Sequence, residues 1–215
     1  MIAEIDTAER IKQKAHTLFM QYGLRSVSMD DIAQGLGMSK KTIYQYFEDK
    51  EELIVAIVSQ EIKSRQACCE NERTISTNAI HEIFLAMDMV VEMFRNMNPS
   101  LIYDMQKYHP KAFEIFSDHK DQYLYNVIRE NIKRGIIEEL YRSDINLDII
   151  SRYRIESMML PFNPDFHSKV KNTLAEIEEE FIIHYLFGLA SIKGRKLILK
   201  YQKERTKKLN ADAKK

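Results

Sequence analysis

The chain has 215 residues, 32 basic and 32 acidic side chains, and a formal charge of zero. That length suits one or two domains with a real core, and 45% apolar with 30% charged residues excludes a disordered or fibrous chain. Only 6 glycines and 4 prolines leave few turn makers, which favours long helices over many short strands.

Two cysteines, adjacent at Cys68 and Cys69, cannot build a disulfide framework, so a reducing cytoplasm is the expected compartment. Acidic Glu4, Asp6 and Glu9 near the start are unlike a signal peptide. The most apolar run, 181–192, is interrupted by His184, Gly188 and Ser191 and falls short of the roughly 20 apolar residues of a bilayer span. No membrane partner is expected. The zero charge is unevenly spread: residues 1–50 carry 7 basic and 7 acidic groups, 51–192 carry 15 and 23, and 193–215 carry 10 and 2. The basic end reads either as a nucleic-acid arm or as a solvated helix end with a frayed terminus.

Residues 6–22 place Ala8, Ile11, Ala15, Leu18, Phe19 and Tyr22 at steps of three and four, predicting a helix with one buried stripe. Asp6 with Glu9 resembles a capping box, and Gly23 suits a left-handed C-terminal cap. Ser28 followed by Asp31 begins a short second helix over 31–36, with Ile32, Ala33 and Leu36 inward and Gly35 and Gly37 limiting its length. Ser39 caps a third helix over 40–47. Asp49 with Glu52 opens a fourth, whose Leu53, Ala56, Ile57 and Ile62 carry it beyond the small domain. Two brief helices joined around a glycine form a helix-turn-helix: Ala33 lets them cross closely, Gly37 makes the turn, and Ile43 anchors the second on the core.

The rest is helical by period over 77–96, 100–107, 112–134, 146–160, 170–189 and 192–209, with breaks at Pro99, Pro110, Gly135, Pro161 and Pro164. No strand pattern or repeat interrupts it. The fold class is all-α, dividing into a helix-turn-helix domain (1–48), a larger helical domain (49–209) and a basic, frayed tail (210–215).

A DNA reader needs groups that hold phosphates and groups that reach base edges. The third helix offers both. Ser39, Lys40, Lys41 and Thr42 occupy its first turn, where free N–H groups and the helix dipole favour an anion. Tyr44 and Tyr46 carry hydroxyls suited to phosphate oxygens, and the Gln45 amide matches adenine N6 and N7 in the major groove. Lys50 sits near the same surface, and Ser28 with Arg25 suits a backbone clamp on the other side. Taken singly, these are ordinary surface lysines and packing tyrosines; gathered on one helix behind an Ala-x-x-x-Gly turn, they point to duplex DNA. Asp30, Asp31, Glu48 and Asp49 oppose a strong field, so the contacts must be geometric.

These residues carry a resemblance. The stretch from Ser28-Met29-Asp30-Asp31-Ile32-Ala33 through Gly37-Met38-Ser39-Lys40-Lys41-Thr42-Ile43-Tyr44-Gln45-Tyr46-Phe47 to Lys50-Glu51-Glu52-Leu53 resembles the DNA-binding domain of the TetR (tetracycline-repressor) family over residues 8–54. The resemblance implies a three-helix DNA-binding domain followed by an all-α domain that dimerises and holds an effector pocket. It puts Ser28, Thr42, Tyr44 and Lys50 where the family grips phosphate, and Lys40, Lys41, Gln45 and Tyr46 where it approaches bases. Gly35 departs from the Ala usual there.

In the larger domain, Met87, Met89, Met93, Phe94, Met97, Tyr103, Met105, Tyr108, Phe113 and Phe116 crowd into thirty residues. Thioethers and aromatic rings line adaptable apolar sites, although most of these side chains must also be core. The expected effector pocket comprises Met87, Met93, Phe94, Met97, Phe113 and Phe116, with Tyr103, Tyr108 and His109 as polar handles. Where the family forms a two-fold four-helix bundle, Phe181, Ile182, Tyr185, Leu186 and Leu189 offer an apolar face for a homodimer, or equally for the chain's own core.

Cys68-Cys69 lacks the spacing of a zinc or redox site, and His109, His119, Glu114 and Asp118 form no metal-binding pattern. No nucleophile elbow or phosphate loop occurs, so no metal, cofactor or catalytic set is predicted and the chain is not expected to be an enzyme. The expected partners are an operator duplex, a small-molecule effector and a second copy of the chain, acting together as a transcriptional repressor. The alternatives are a helical-bundle enzyme or metal carrier with a vestigial head, and a protein-interaction scaffold.

Overall fold

The computed structural model describes residues 6–212, and every regular element among them is helical. Glu4 and residues 213–215 of the expected tail lie outside that range. Three helices, α1 (Thr7–Tyr22), α2 (Met29–Leu36) and α3 (Lys40–Tyr44), build a small head, and α4 (Lys50–Ile75) runs from it into the body. Ile11 and Ala15 of α1, Ile32 of α2, Ile43 of α3 and Leu53 of α4 are all fully buried together. Each large aliphatic side chain so buried contributes about 1.5–3 kcal/mol.

Caps set the limits of these helices. Ser28 Oγ accepts from Asp31 N at 3.2 Å while Asp31 Oδ2 accepts from Ser28 N at 2.7 Å, the reciprocal box that starts α2. Gly37, at φ 65° and ψ 27°, takes the left-handed conformation, and Met38 N then reaches Ala33 O at 3.0 Å to close α2. Ser39 Oγ accepts from Thr42 N at 3.1 Å, and Asp49 Oδ1 from Glu52 N at 2.7 Å.

Three local expectations are corrected. Asp6 makes no side-chain cap bond, because its helix is entered without one. Gly23 has a positive φ of 81° but an extended ψ of 162°, since the chain turns away towards Leu24 instead of curling back on the helix. The helix α3 stops at Tyr44, not at residue 47, because the chain must straighten to place Asp49, at φ −151°, as the extended cap of α4. Gln45 and Tyr46 therefore lie in the turn that follows α3.

The body contains α5 (Ala79–Arg95), α6 (Leu101–Tyr108), α7 (Pro110–Asp118), a π-helical segment (His119–Leu124), α8 (Tyr125–Ile137), α9 (Leu147–Ser157), a 3-10 turn (Leu160–Phe162), α10 (Pro164–His167), α11 (Leu174–Leu189) and α12 (Ile192–Asp212). The single helix expected over 112–134 is thus a rod with a widened turn in its middle, a feature that a 3.6-residue period does not encode. The helix expected from residue 170 begins only at Leu174, where Thr173 and Glu176 form a second reciprocal box. The last helix, α12, continues through Asp212, into the first residues of the expected tail.

One apolar cluster joins the head to the upper body, with Phe19, Ile54, Phe94, Met105 and Phe162 among its members; a second, lower cluster holds Ile80, Met87, Ile132, Leu186 and Ile198. Between helices α4, α5 and α8, Arg134 bonds Glu82 at 2.9 Å, Glu138 at 2.8 Å and Ser76 Oγ at 2.7 Å. Beside it, a Cβ on Gly135 would stand 2.0 Å from the Tyr141 ring, so only glycine lets α8 meet the chain folding back. No described helix is long and apolar enough to cross a membrane.

Candidate functional site

The outer surface of the head gathers most of the residues expected to touch DNA. Ser39, Lys40, Lys41, Tyr44, Gln45 and Tyr46 are exposed, and Thr42 is half-buried with its hydroxyl 2.8 Å from Ser39 Oγ. Both tyrosines are 43% exposed, so their rings and hydroxyls are open to a partner. Among the described residues, neither Lys41 nor Gln45 uses its side chain in a hydrogen bond. Lys40 pairs with Asp30 at 2.8 Å, which holds its ammonium above the usual lysine range, and sits 5.9 Å from the centre of the Tyr44 ring. The acidic groups that cancel the charge of the head are largely committed: Asp30 to Lys40, and Asp31 and Asp49 to helix caps.

Two expected contacts point elsewhere. The half-buried Lys50 turns its ammonium inward, donating to Leu24 O and lying 5.6 Å from the Phe19 ring centre, and burial pushes its pKa down. The Arg25 guanidinium stacks over Tyr108, 5.6 Å from the ring centre, while its backbone N–H donates to buried Asp104 at 3.3 Å. Asn98 N also donates to Met20 O at 2.7 Å. The head is therefore buttressed by the α5–α6 corner and by α6.

Below this joint lies a cavity of about 250 Å³ bounded by α1, α4, α5, α6, α7, the π-helical segment and the 3-10 turn. Of the expected pocket residues, Met93, Phe94, Met97 and Phe116 line it. The others do not. Met87 is buried in the lower core, Phe113 packs at the edge of the upper one, Tyr103 and Tyr108 stand on the surface near Lys107, and His109 bonds Glu51 at 2.6 Å. Seven of the 11 methionines line this one cavity, including Met20, Met158 and Met159 from segments distant in the chain.

Its polar wall was missed: His16, Glu61, Arg65, Cys69, His119 and Lys120. The spacing of Ile54, Ile57, Val58, Glu61, Ile62, Arg65 and Cys69 along α4 carried the signal, because steps of three and four put all of them on one side. Burial pushes the Cys69 thiol up to about 11, so it is held protonated and is a poor nucleophile at neutral pH. Among the described residues, no group of three or more His, Cys, Asp or Glu side chains is arranged to hold a metal ion.

The expected dimer face is corrected as well. Ile182, Tyr185, Leu186 and Leu189 are at most 5% exposed and belong to the chain's own lower core, because α11 lies against α5 along this side. Only Phe181 reaches the surface. There it joins Tyr153, Leu160, His184 and Glu180 in a shallow groove between α9 and α11. Tyr153 is 50% exposed and Ile149, one turn earlier, 64%.

A helix-turn-helix head with an exposed polar helix, continued by one long helix into an all-α body, defines a DNA-binding transcriptional regulator. Residues 11–57 match the family described as "Bacterial regulatory proteins, tetR family". The chain is similar to this family over its head and the first turns of α4. It is 26% identical over 187 residues to the HTH-type transcriptional regulator YvaF of Bacillus subtilis (strain 168), covering 84% of this chain and 93% of that one. The HTH-type transcriptional regulator SAB2452 of Staphylococcus aureus (strain bovine RF122 / ET3-1) is 33% identical over 60 residues, and there the match spans only 28% of this chain and 32% of the relative. In fold, a TetR-family regulator from Agrobacterium tumefaciens is similar with a TM-score of 0.68 at 16% identity, covering 86% of this chain and 97% of that one.

Proposed function

We propose that the chain is a homodimeric repressor that binds a near-palindromic operator and leaves it when a small apolar molecule occupies the cavity. The observation that carries this reading is the course of α4, which starts in the head at Lys50 and walls the cavity from Ile54 to Cys69. A ligand that repositions α4 repositions the head attached to it. In a dimer, this changes the separation of two recognition helices that must meet half-sites about 34–36 Å apart, or a multiple of that.

In this reading, Ser39 and Thr42 hold phosphates at the start of α3, Lys41, Gln45 and Tyr46 face bases, and Tyr44 and Ser28 flank them. Two copies join through the outward face of α9 and α11, around Tyr153, Leu160 and Phe181. Driving the dimer from 99% to 1% competent requires a differential affinity of about 5.5 kcal/mol, and operator DNA must weaken ligand binding by the factor the ligand weakens DNA binding.

Selection of bound sequences from a random duplex pool tests the reading. Two-fold symmetric sites are expected, and Gln45→Ala should relax preference at one position per half-site, costing about 1–3 kcal/mol there. A folded chain that selects no sequence would overturn it.

A further inference from the structure

The cavity has a chemistry that narrows its ligand. Every charged group in its wall already has an opposite charge within 4 Å: Glu61 pairs with Arg65 at 3.2 Å and faces His16 at 3.9 Å, and Lys120 pairs with Asp121 at 2.9 Å. Cys69 is a neutral thiol. An ionic ligand would have to leave water for a mostly apolar cavity with no free counter-charge, a transfer that is strongly unfavourable.

One polar group stands apart. The widened turn of the π-helical segment carries His119, Lys120 and Leu124 to the cavity wall together, and such turns interrupt helices frequently at functional sites. The His119 ring stacks on Tyr123 with centroids 5.2 Å apart, and Gln66 Nε2, which can only donate, bonds its Nδ1 at 3.2 Å. Nδ1 is therefore the acceptor, and the imidazole proton sits on Nε2, which has no acceptor among the described residues. Burial pushes the His119 pKa down, which keeps this neutral tautomer at neutral pH.

We propose that the cavity takes an uncharged, mainly apolar molecule of about a dozen non-hydrogen atoms carrying one hydrogen-bond acceptor, and that His119 Nε2–H donates to that acceptor. The size follows from the volume, since a cavity of about 150 Å³ accepts benzene and this one measures about 250 Å³. The methionine lining suits flexible or flat molecules alike, because thioether chains repack at little cost. This inference rests on the effector reading above. Its test contains no DNA, so a failure of ligand selectivity and a failure of operator recognition are read separately.

Four probes of similar size decide it by calorimetry on the full chain: hexanophenone, hexylbenzene, 4-pentylbenzoate and 4-pentylbenzylammonium. Hexanophenone should bind at least about tenfold tighter than either ion. His119→Phe should weaken hexanophenone about five- to tenfold while leaving hexylbenzene unchanged within about twofold, the size expected of one lost hydrogen bond. His119→Gln, which restores a donor, should recover part of the loss. An ion that binds as tightly as the ketone, or no binding by any probe, overturns the ligand class. Equal weakening of ketone and hydrocarbon by His119→Phe overturns the donor role. The comparison of probes on the unaltered chain stands whether or not the variants fold.

Discussion

His109 Nδ1 lies 2.6 Å from Glu51 Oε2, tying the corner between α6 and α7 to the first turn of α4. Both side chains are largely buried, and the other Glu51 oxygen, Oε1, is buried without a protein partner. The pair braces the helix that enters the head against the body. Removing the imidazole leaves neither oxygen of this largely buried carboxylate with a hydrogen-bonding side chain. His109→Ala should destabilise the chain by about 1–3 kcal/mol in urea unfolding, with His109→Gln less harmful. A loss below about 0.5 kcal/mol would remove the brace.

Lys50 and Lys41 should separate stability from DNA affinity. Lys50 is half-buried and bonded to Leu24 O, so Lys50→Ala should lower stability by about 1 kcal/mol and leave the salt dependence of operator binding unchanged. Lys41 is exposed and unbonded, so Lys41→Ala should leave stability within about 0.5 kcal/mol and reduce the salt slope by about 1. Titrations of operator binding at several salt concentrations read both, and exchanged outcomes would return Lys50 to the phosphate set.

The two sides of α11 should behave oppositely. Leu186 is fully buried in the lower core, so Leu186→Ala should cost about 2–5 kcal/mol through the cavity it leaves. Tyr153→Glu, in the outward groove, should leave the secondary structure intact and convert the dimer to monomer in sedimentation experiments. A dimer that survives Tyr153→Glu and Phe181→Glu together would move the interface to another face.

His119 should make the chain less stable in acid. Its folded pKa lies below the ordinary histidine value of 6.5 because of burial, so below that pH the unfolded chain binds the proton more readily. Stability therefore falls as pH drops from 6.5 through the folded value, where the loss levels off. His119→Phe should flatten this part of the profile in melts between pH 5 and pH 7.5, a range chosen around that value. An unchanged slope would show that the ring is solvated.

Much of the head was legible in advance. Ser28 with Asp31, Gly37, Ser39 and Asp49 with Glu52 are signals contained within four residues, and each acts on the backbone beside it. Ile11, Ile32 and Ile43 could be assigned inward for the same reason, since helical period is a property of a short stretch. The body was legible as helix but not as surface and interior. Tyr103, Tyr108 and His109 had the right chemistry for a pocket, yet α6 turns the first two to the surface and gives the third to Glu51.

By itself, then, the order of the residues determined an all-helical chain, the corner in the head, and the polar set on α3. Those features depend on caps, glycine conformation and local period. Only the tertiary structure decided which methionines meet around one cavity, that Lys50 points inward, that His119 keeps a free donor, and which side of α11 faces outward. Each of these depends on segments tens of residues apart coming together, and an apolar residue in a helix carries no mark of which neighbour will cover it.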